Sequence, residues 1–352
     1  MRLLNKTTLE FADFNDTQQI RYSILSHCWS QDPDNRKVTY QAFLARDFNV
    51  DGAGYRKIQR CCSLSKKRGF DHTWIDTRCV DKTSSAELSE TINSMFKWYQ
   101  DSTECYVFMD DLTADALPKI HAIDKEDRWK QGLDIHAIDK VYAFMGSRWF
   151  TRGWTLQELL APTTVLLYSS DHHYLGTKIE LAPIISQAAS IRVAFVIQET
   201  HIYKASAAQR MSWASARTTT RPEDMAYSLL GNFDLNMPLL YGEGKKAFRR
   251  LQGEIIRQSD DESILVWGLD SEQKDFTGVL ADDPSDFKGS GNVWTMEKLR
   301  TFDRGIVKYE LTNKGLAISY NKLLIDLSGT ARNFGISGPK VGITLKCFNV
   351  HV

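Results

Sequence analysis

Two rhythms of apolar and polar positions run along this chain. Between residues 20 and 112, short apolar runs alternate with longer amphipathic stretches. IRYSILSHCW (20–29) begins as an apolar strand and ends in polar and aromatic groups. GAGYRKIQRCCSLSKKR (52–68) follows with Tyr55, Ile58, Cys62 and Ser65 spaced for one helical face. HTWIDTRCV (72–80) reads as a second strand. In SAELSETINSMFKWYQ (85–100), Leu88, Ile92, Met95, Phe96 and Tyr99 form a helical stripe, with Ser84 or Ser85 as cap and Glu87 in the first turn. CYVFMDDL (105–112) is a third strand, apolar until Asp110 and Asp111. Strands alternating with crossover-length helices predict an α/β fold with a parallel sheet.

The hexamer IHAIDK then occurs at 120–125 and again at 135–140, inside a stretch (about 113–146) that reads as a surface insertion. A single 15-residue period is too short for a solenoid. SRWFTRGWTLQELLAP (147–162) forms a turn and a helix that stops before Pro162, and TTVLLYS (163–169) is a fourth strand. From 179 to 262 the pattern is mostly helical. Thr220 with Glu223 looks like a capping box, and Gly231 like the glycine that closes that helix. Phe248, Leu251 and Ile255 share a face of the next helix. After residue 263, short alternating runs broken by Gly and Asp-Pro predict a β-rich part. The expected organisation is therefore 1–178 as an α/β core, 179–262 as a helical part, and 263–352 as a β-rich subdomain.

Composition narrows the function. The 352 residues carry 44 basic and 44 acidic side chains, so no basic excess suits the whole chain to nucleic acid. No apolar run reaches about 18 residues, which argues against a membrane span. The N-terminal stretch has early acids and no apolar core, unlike a secretory signal. Six cysteines without a C-x-x-C read as reduced thiols of a cytoplasmic protein. His27, Cys28, His72 and Cys79 do not follow the ligand spacings of zinc sites, so no metal is expected.

The chain lacks the phosphate-loop, dinucleotide-fingerprint, nucleophile-elbow and zinc-helix motifs. What remains is polar residues at predicted strand ends: Ser26-His27-Cys28-Trp29, Asp76-Thr77-Arg78 and Asp110-Asp111. Ligands of open parallel sheets bind at that edge. Each residue also has a plain structural role open to it, as a cap, a loop histidine or a strand terminus. The sharpest local pair is Trp154 and Glu158, at i and i+4 of one helix. An indole beside a carboxylate can stack a planar ring while the acid faces a sugar; the alternative is a core Trp and an exposed Glu.

YSILSHCW, GYRKIQRCC, WIDTRCVDKTSSAELSETINSMFKWY, SRWFTRGWTLQELLAP, RMSWASARTTTRPEDMAYSLLG and MPLLYGEGKKAFRRLQGEII resemble, in order, the blocks of the fungal heterokaryon-incompatibility (HET) domain. Ser30, Arg78 and the duplicated insertion depart from that pattern. The resemblance implies a non-self recognition protein that triggers regulated cell death. It also implies self-association, or a partner incompatibility or receptor protein. W-T-L-Q-E-L (154–159) is in turn similar to a helix motif of TIR domains, which implies a TIR-like core. In active TIR domains the Glu of this motif cleaves NAD between nicotinamide and ribose. Carried over, Glu158 is the catalytic carboxylate and Trp154 its pocket aromatic. Ser26, His27, Trp29, Asp76 and Arg78 then line the same cleft, with NAD as substrate and no bound cofactor. The alternative is a non-catalytic death-signalling module that recruits or oligomerises.

Overall fold

A computed structural model of the chain describes residues 1–15, 17, 19–28, 38–114, 135–269, 278–294, 309–312 and 315–318. The chain condenses into two compact units. One is Met1–Thr200 with Tyr227–Leu239, and the other is His201–Ala226 with Leu240–Val352.

A seven-stranded mixed sheet organises the first unit. Its strands are β1 (Arg2–Asn5), β2 (Phe11–Asp13), β3 (Tyr22–His27), β4 (His72–Trp74), β5 (Glu104–Met109), β6 (Val165–Ser169) and β7 (Tyr174–Thr177), in the order β2-β1-β4-β3-β5-β6-β7. The four strands read from the sequence are the parallel core, β4-β3-β5-β6. Antiparallel β1 and β7 flank it, pairing with β4 and β6. The run at 72–80 is only partly a strand: after Trp74 the chain turns into α3 (Asp76–Cys79), whose Arg78 and Cys79 amides donate to the Ile75 carbonyl. A short helix, α1 (Tyr40–Leu44), precedes α2 (Ala53–Lys67) and has no apolar stripe that would have announced it.

Period-two alternation sorts β3 between two helical layers. Ser23 Oγ meets Ser65 of α2 at 2.6 Å and Thr73 at 2.9 Å, on one face. On the other face, the Tyr22 hydroxyl donates to the Trp98 carbonyl of α4 (Ser85–Asp101) at 2.5 Å. Ser84 caps α4 by accepting from the Glu87 amide. The second IHAIDK copy opens α5 (Ile135–Met145), while the first lies outside the described residues. Residues 155–160 form α6, every residue of which is buried.

Gly231 sits in a 3-10 turn, Leu230–Phe233, after the helix Pro222–Tyr227. It was expected to supply a left-handed helix end, but Asp234 does that, at φ 55°. Gly231 is instead dictated by close approach: a Cβ there would stand 2.0 Å from Cβ of Phe96.

In the second unit, the helix Ala207–Ser212 is wholly buried behind a Ser206/Gln209 capping box. The buried face of the helix Lys246–Gln258 includes Phe248, Leu251 and Ile255, as its spacing predicts. Glu223 accepts from the Gly242 and Gly244 amides, both at 2.9 Å, and the Tyr241 hydroxyl donates to Asp224 at 2.9 Å. The described residues between 262 and 292 include 3-10 turns at 262–265, 284–287 and 290–292 in place of the expected strands. An antiparallel hairpin, Tyr309–Thr312 with Gly315–Ile318, is the described β part of the tail. Among the described residues no helix is long and apolar enough to cross a membrane.

Candidate functional site

Among the parallel strands the chain leaves β3 first to β4 on one side, then returns to β5 on the other. The gap above the carboxyl ends of β3 and β5 is thus the point where strand order reverses, the usual ligand position in such sheets. Ser26 and His27 end β3 there, in register with Val107 and Phe108 of β5.

The pleat sends these two neighbours to opposite faces. Ser26 faces α6 and is fully buried. Its hydroxyl donates to Glu158 Oε2 and accepts from the Trp149 indole Nε1 at 2.8 Å. Glu158 is 8% exposed and Trp149 1%. Nearby Tyr99 donates its hydroxyl to the Leu25 carbonyl at 3.0 Å. Burial pushes the Tyr99 phenol and the Cys105 thiol well up, and the Glu158 charge pushes the same way. Both groups therefore stay neutral beside the carboxylate.

Two sets of contacts hold this constellation. The first begins at the end of β5. Asp111 accepts from the Ser147 hydroxyl at 2.8 Å and the Arg148 amide at 2.7 Å, which fixes the 3-10 turn Arg148–Thr151 that carries Trp149. Asp110 takes the Arg148 guanidinium at 2.8 Å. The second set closes α6. Its last carbonyls would be orphaned inside the protein, but Lys178 Nζ donates to the Leu159 and Pro162 carbonyls at 3.2 and 2.5 Å. Gln198 Nε2 adds bonds to the Leu160, Ala161 and Pro162 carbonyls at 2.6, 3.1 and 3.2 Å. A cation at a helix C-terminus also suits the helix dipole. Burial brings the Lys178 ammonium down to about 8.

His27 faces a different set of partners. Its Nδ1 lies 3.9 Å from Asp76 Oδ1, and Lys82 Nζ lies 3.3 Å from Asp76 Oδ2. Lys57 of α2 reaches Asp110 at 3.5 Å and the Cys28 carbonyl at 3.4 Å. Burial brings His27 down to about 4 against the pull of Asp76, helped by Lys57 and Lys82. Its imidazole is neutral at pH 7. Burial raises Asp76, but Lys82 and His27 outweigh it and hold the carboxyl below its ordinary value.

The remaining residues singled out from the sequence separate. Trp154 stands at the start of α6, partly exposed, and Trp29 lies outside the described residues. Arg78 is fully buried, with its guanidinium 4.0 Å from the Phe43 ring centre, 5.2 Å from that of Phe48 and 5.8 Å from that of Tyr55. The structure thus joins Ser26 with Glu158, and His27 with Asp76, and encloses Arg78 apart. Trp149, Lys178 and Gln198 were not singled out. Trp149 lies in the same SRWFTRGW segment as Trp154, but helical spacing favoured the latter. Lys178 and Gln198 act through the fold and leave no local pattern.

Among the described residues no group of three or more His, Cys, Asp or Glu is set to hold a metal ion. The five cysteines described are all buried free thiols. Chemically, the edge offers a buried carboxylate that accepts from a hydroxyl, which an indole orients in turn, beside a neutral imidazole and several paired cations.

Residues 22–158 match the family described as heterokaryon incompatibility protein (HET). The match starts on the first residue of β3 and ends on Glu158, so it frames the site. The chain is also 41% identical, over 235 residues, to vegetative incompatibility protein HET-E-1 of Podospora anserina. That stretch covers 66% of this chain and 16% of the relative, so the chain spans far less than the relative's full length. No solved structure matches the chain.

Proposed function

Because the chain is a fungal HET-domain protein, we propose that it is an effector of vegetative incompatibility. In this reading it triggers regulated cell death by hydrolysing NAD at the nicotinamide–ribose bond when chains cluster. The observation that carries the catalytic part is the Ser26–Glu158–Trp149 constellation at the switch point of a parallel sheet. The similarity of W-T-L-Q-E-L to the TIR helix motif gives Glu158 its role.

The chemistry balances without a cofactor. The bond from ribose C1′ to the pyridinium nitrogen breaks, and its electron pair leaves with neutral nicotinamide. The ribose passes through an oxocarbenium-like state, as in glycoside hydrolysis. Water adds to C1′ and releases a proton, leaving ADP-ribose. Glu158 faces the developing positive charge and a ribose hydroxyl, and its charge is worth most in a water-excluded site. Ser26 and Trp149 position it. His27, neutral at pH 7, and Asp76 line the opposite side of the strand end.

The test is nicotinamide release from NAD, read across protein concentration for the wild type and Glu158→Gln. The reading requires turnover that rises faster than concentration and is lost in the variant. A second reading is a non-catalytic signalling module. It is favoured by the burial of Ser26 and Trp149, which would equally suit a purely structural network. Cell killing by Glu158→Gln at wild-type strength would select it.

A further inference from the structure

Arg78 presents a physical contradiction. Its side chain is fully buried, yet Nε and both terminal nitrogens have no hydrogen-bond partner among the described residues. Buried charges are ordinarily paired, because an unpaired one carries a large desolvation cost. Among the described residues, ring faces compensate: Phe43, Phe48 and Tyr55 lie around the guanidinium. Burial is severe enough to bring its pKa down to about 10.

The cover over Arg78 is thin. Phe43 and Phe48 belong to the segment from Thr39 to Asp51, which includes α1, and not one residue of that segment is buried. Leu44 and Val50 are more than half exposed. The segment rests on rings, with Phe11 against Tyr40 and Phe43 at 5.3 Å each, and on Gln41, which donates to Asp81 and Thr83. Segments with few buried apolar contacts open locally at low free energy. An unsatisfied cation beneath such a segment lowers that energy further.

We propose that Arg78 is a covered oxyanion site for phosphoryl groups, diphosphate above all, and that residues 39–51 are the lid that lifts to expose it. The guanidinium fork matches two phosphate oxygens at once. A multiply charged anion supplies the counter-charge the cage lacks. Arg78 stands two residues beyond Asp76 on α3, at the carboxyl edge of β4, so an anion bound there lies at the sheet edge where nucleotides bind. The inference holds whether or not NAD is cleaved, because its probe is inorganic diphosphate.

Lid opening imposes a population penalty on the anion: apparent affinity is the intrinsic affinity reduced by the open fraction. Loosening the lid must therefore strengthen binding, the reverse of what damage to a structural contact does. Diphosphate affinity is measured by titration calorimetry for wild type, Phe43→Ala, and Phe43→Ala combined with Arg78→Met. In parallel, an arginine-specific dicarbonyl reagent reads the exposure of Arg78. Phe43→Ala is expected to tighten diphosphate binding at least about 5-fold and to speed modification of Arg78, with diphosphate protecting. Arg78→Met, which puts an apolar chain in an apolar cage and keeps the fold, is expected to abolish binding in both backgrounds. Unchanged or weaker binding by Phe43→Ala overturns the lid. Binding that survives Arg78→Met, no binding by any form, or equal binding of acetate overturns the site.

Discussion

Two buried glutamates carry the contrast between the two units. Glu158 and Glu223 are both nearly enclosed, at 8% and 5% exposure. Glu223, in the second unit, accepts two backbone amides from the Gly242–Gly244 turn. Both glycines have positive φ, 105° and 60°, which aims their amides at one acceptor. Burial raises Glu223, but the backbone amides outweigh it, and its pKa lies below the ordinary value. Glu158 has the hydroxyl of Ser26, which the Trp149 indole orients in turn. A carboxylate tied to backbone amides holds chain segments together. One tied to a side chain at a sheet switch point, under the proposed function, is placed for a ligand. Burial alone does not separate the two cases; the origin of the donors does.

Exchanging the roles in experiment breaks or sharpens this contrast. The largest effect is expected for Glu158→Gln: nicotinamide release falls at least about 100-fold, with little change in the urea midpoint. If Glu223→Gln removes as much activity in folded protein, the distinction fails. Next, Glu223→Ala leaves two amides without an acceptor and is expected to cost about 2 kcal/mol, read by urea denaturation, while the turnover of folded protein stays intact. Third comes pH. The folded pKa of His27, about 4, lies below the unfolded value, so the unfolded chain binds more protons between them. Stability is fully present above about pH 6.5 and lost as pH falls toward 4, on the order of 1–2 kcal/mol between pH 6.5 and 5. His27→Asn should flatten this window. The contribution of Glu223, whose pKa is also depressed, is lost only at lower pH, below the ordinary glutamate value, and should persist in His27→Asn. The smallest effect is expected for Trp149→Phe, which keeps one aromatic ring but deletes the indole hydrogen bond and leaves a small cavity: about 1–2 kcal/mol of stability, with turnover reduced more than Glu223→Ala reduces it.

The alternating pattern makes the parallel core legible, because β3, β5 and β6 are short, mostly apolar runs and α2 and α4 carry clear stripes. The flanking strands β1, β2 and β7 are three or four residues long, too short for periodicity to register. The role of Gly231 was invisible because the residue that forbids a side chain there, Phe96, is remote in sequence. At the site, Ser26 and Glu158 meet because strand ends and a short helix converge on one edge of such a sheet. The division between Ser26 and His27 follows from the pleat, which adjacent letters already imply. Arg78 shows the limit of reading by position: expected at the end of a strand, it lies in α3, where aromatic rings from 43, 48 and 55 close over it.

The central place of β3 also has a consequence in time. Its hydrogen-bonded neighbours, β4 and β5, lie about 50 and 80 residues further along the chain. At a synthesis rate of about 5–20 residues per second, β3 leaves the ribosome roughly 4–16 s before β5 exists to pair with it. Six residues, five of them destined for full burial, spend that interval with both edges open. Expression at lower temperature, or with abundant chaperones, should therefore raise the soluble yield through this waiting strand rather than through the stability of the finished sheet.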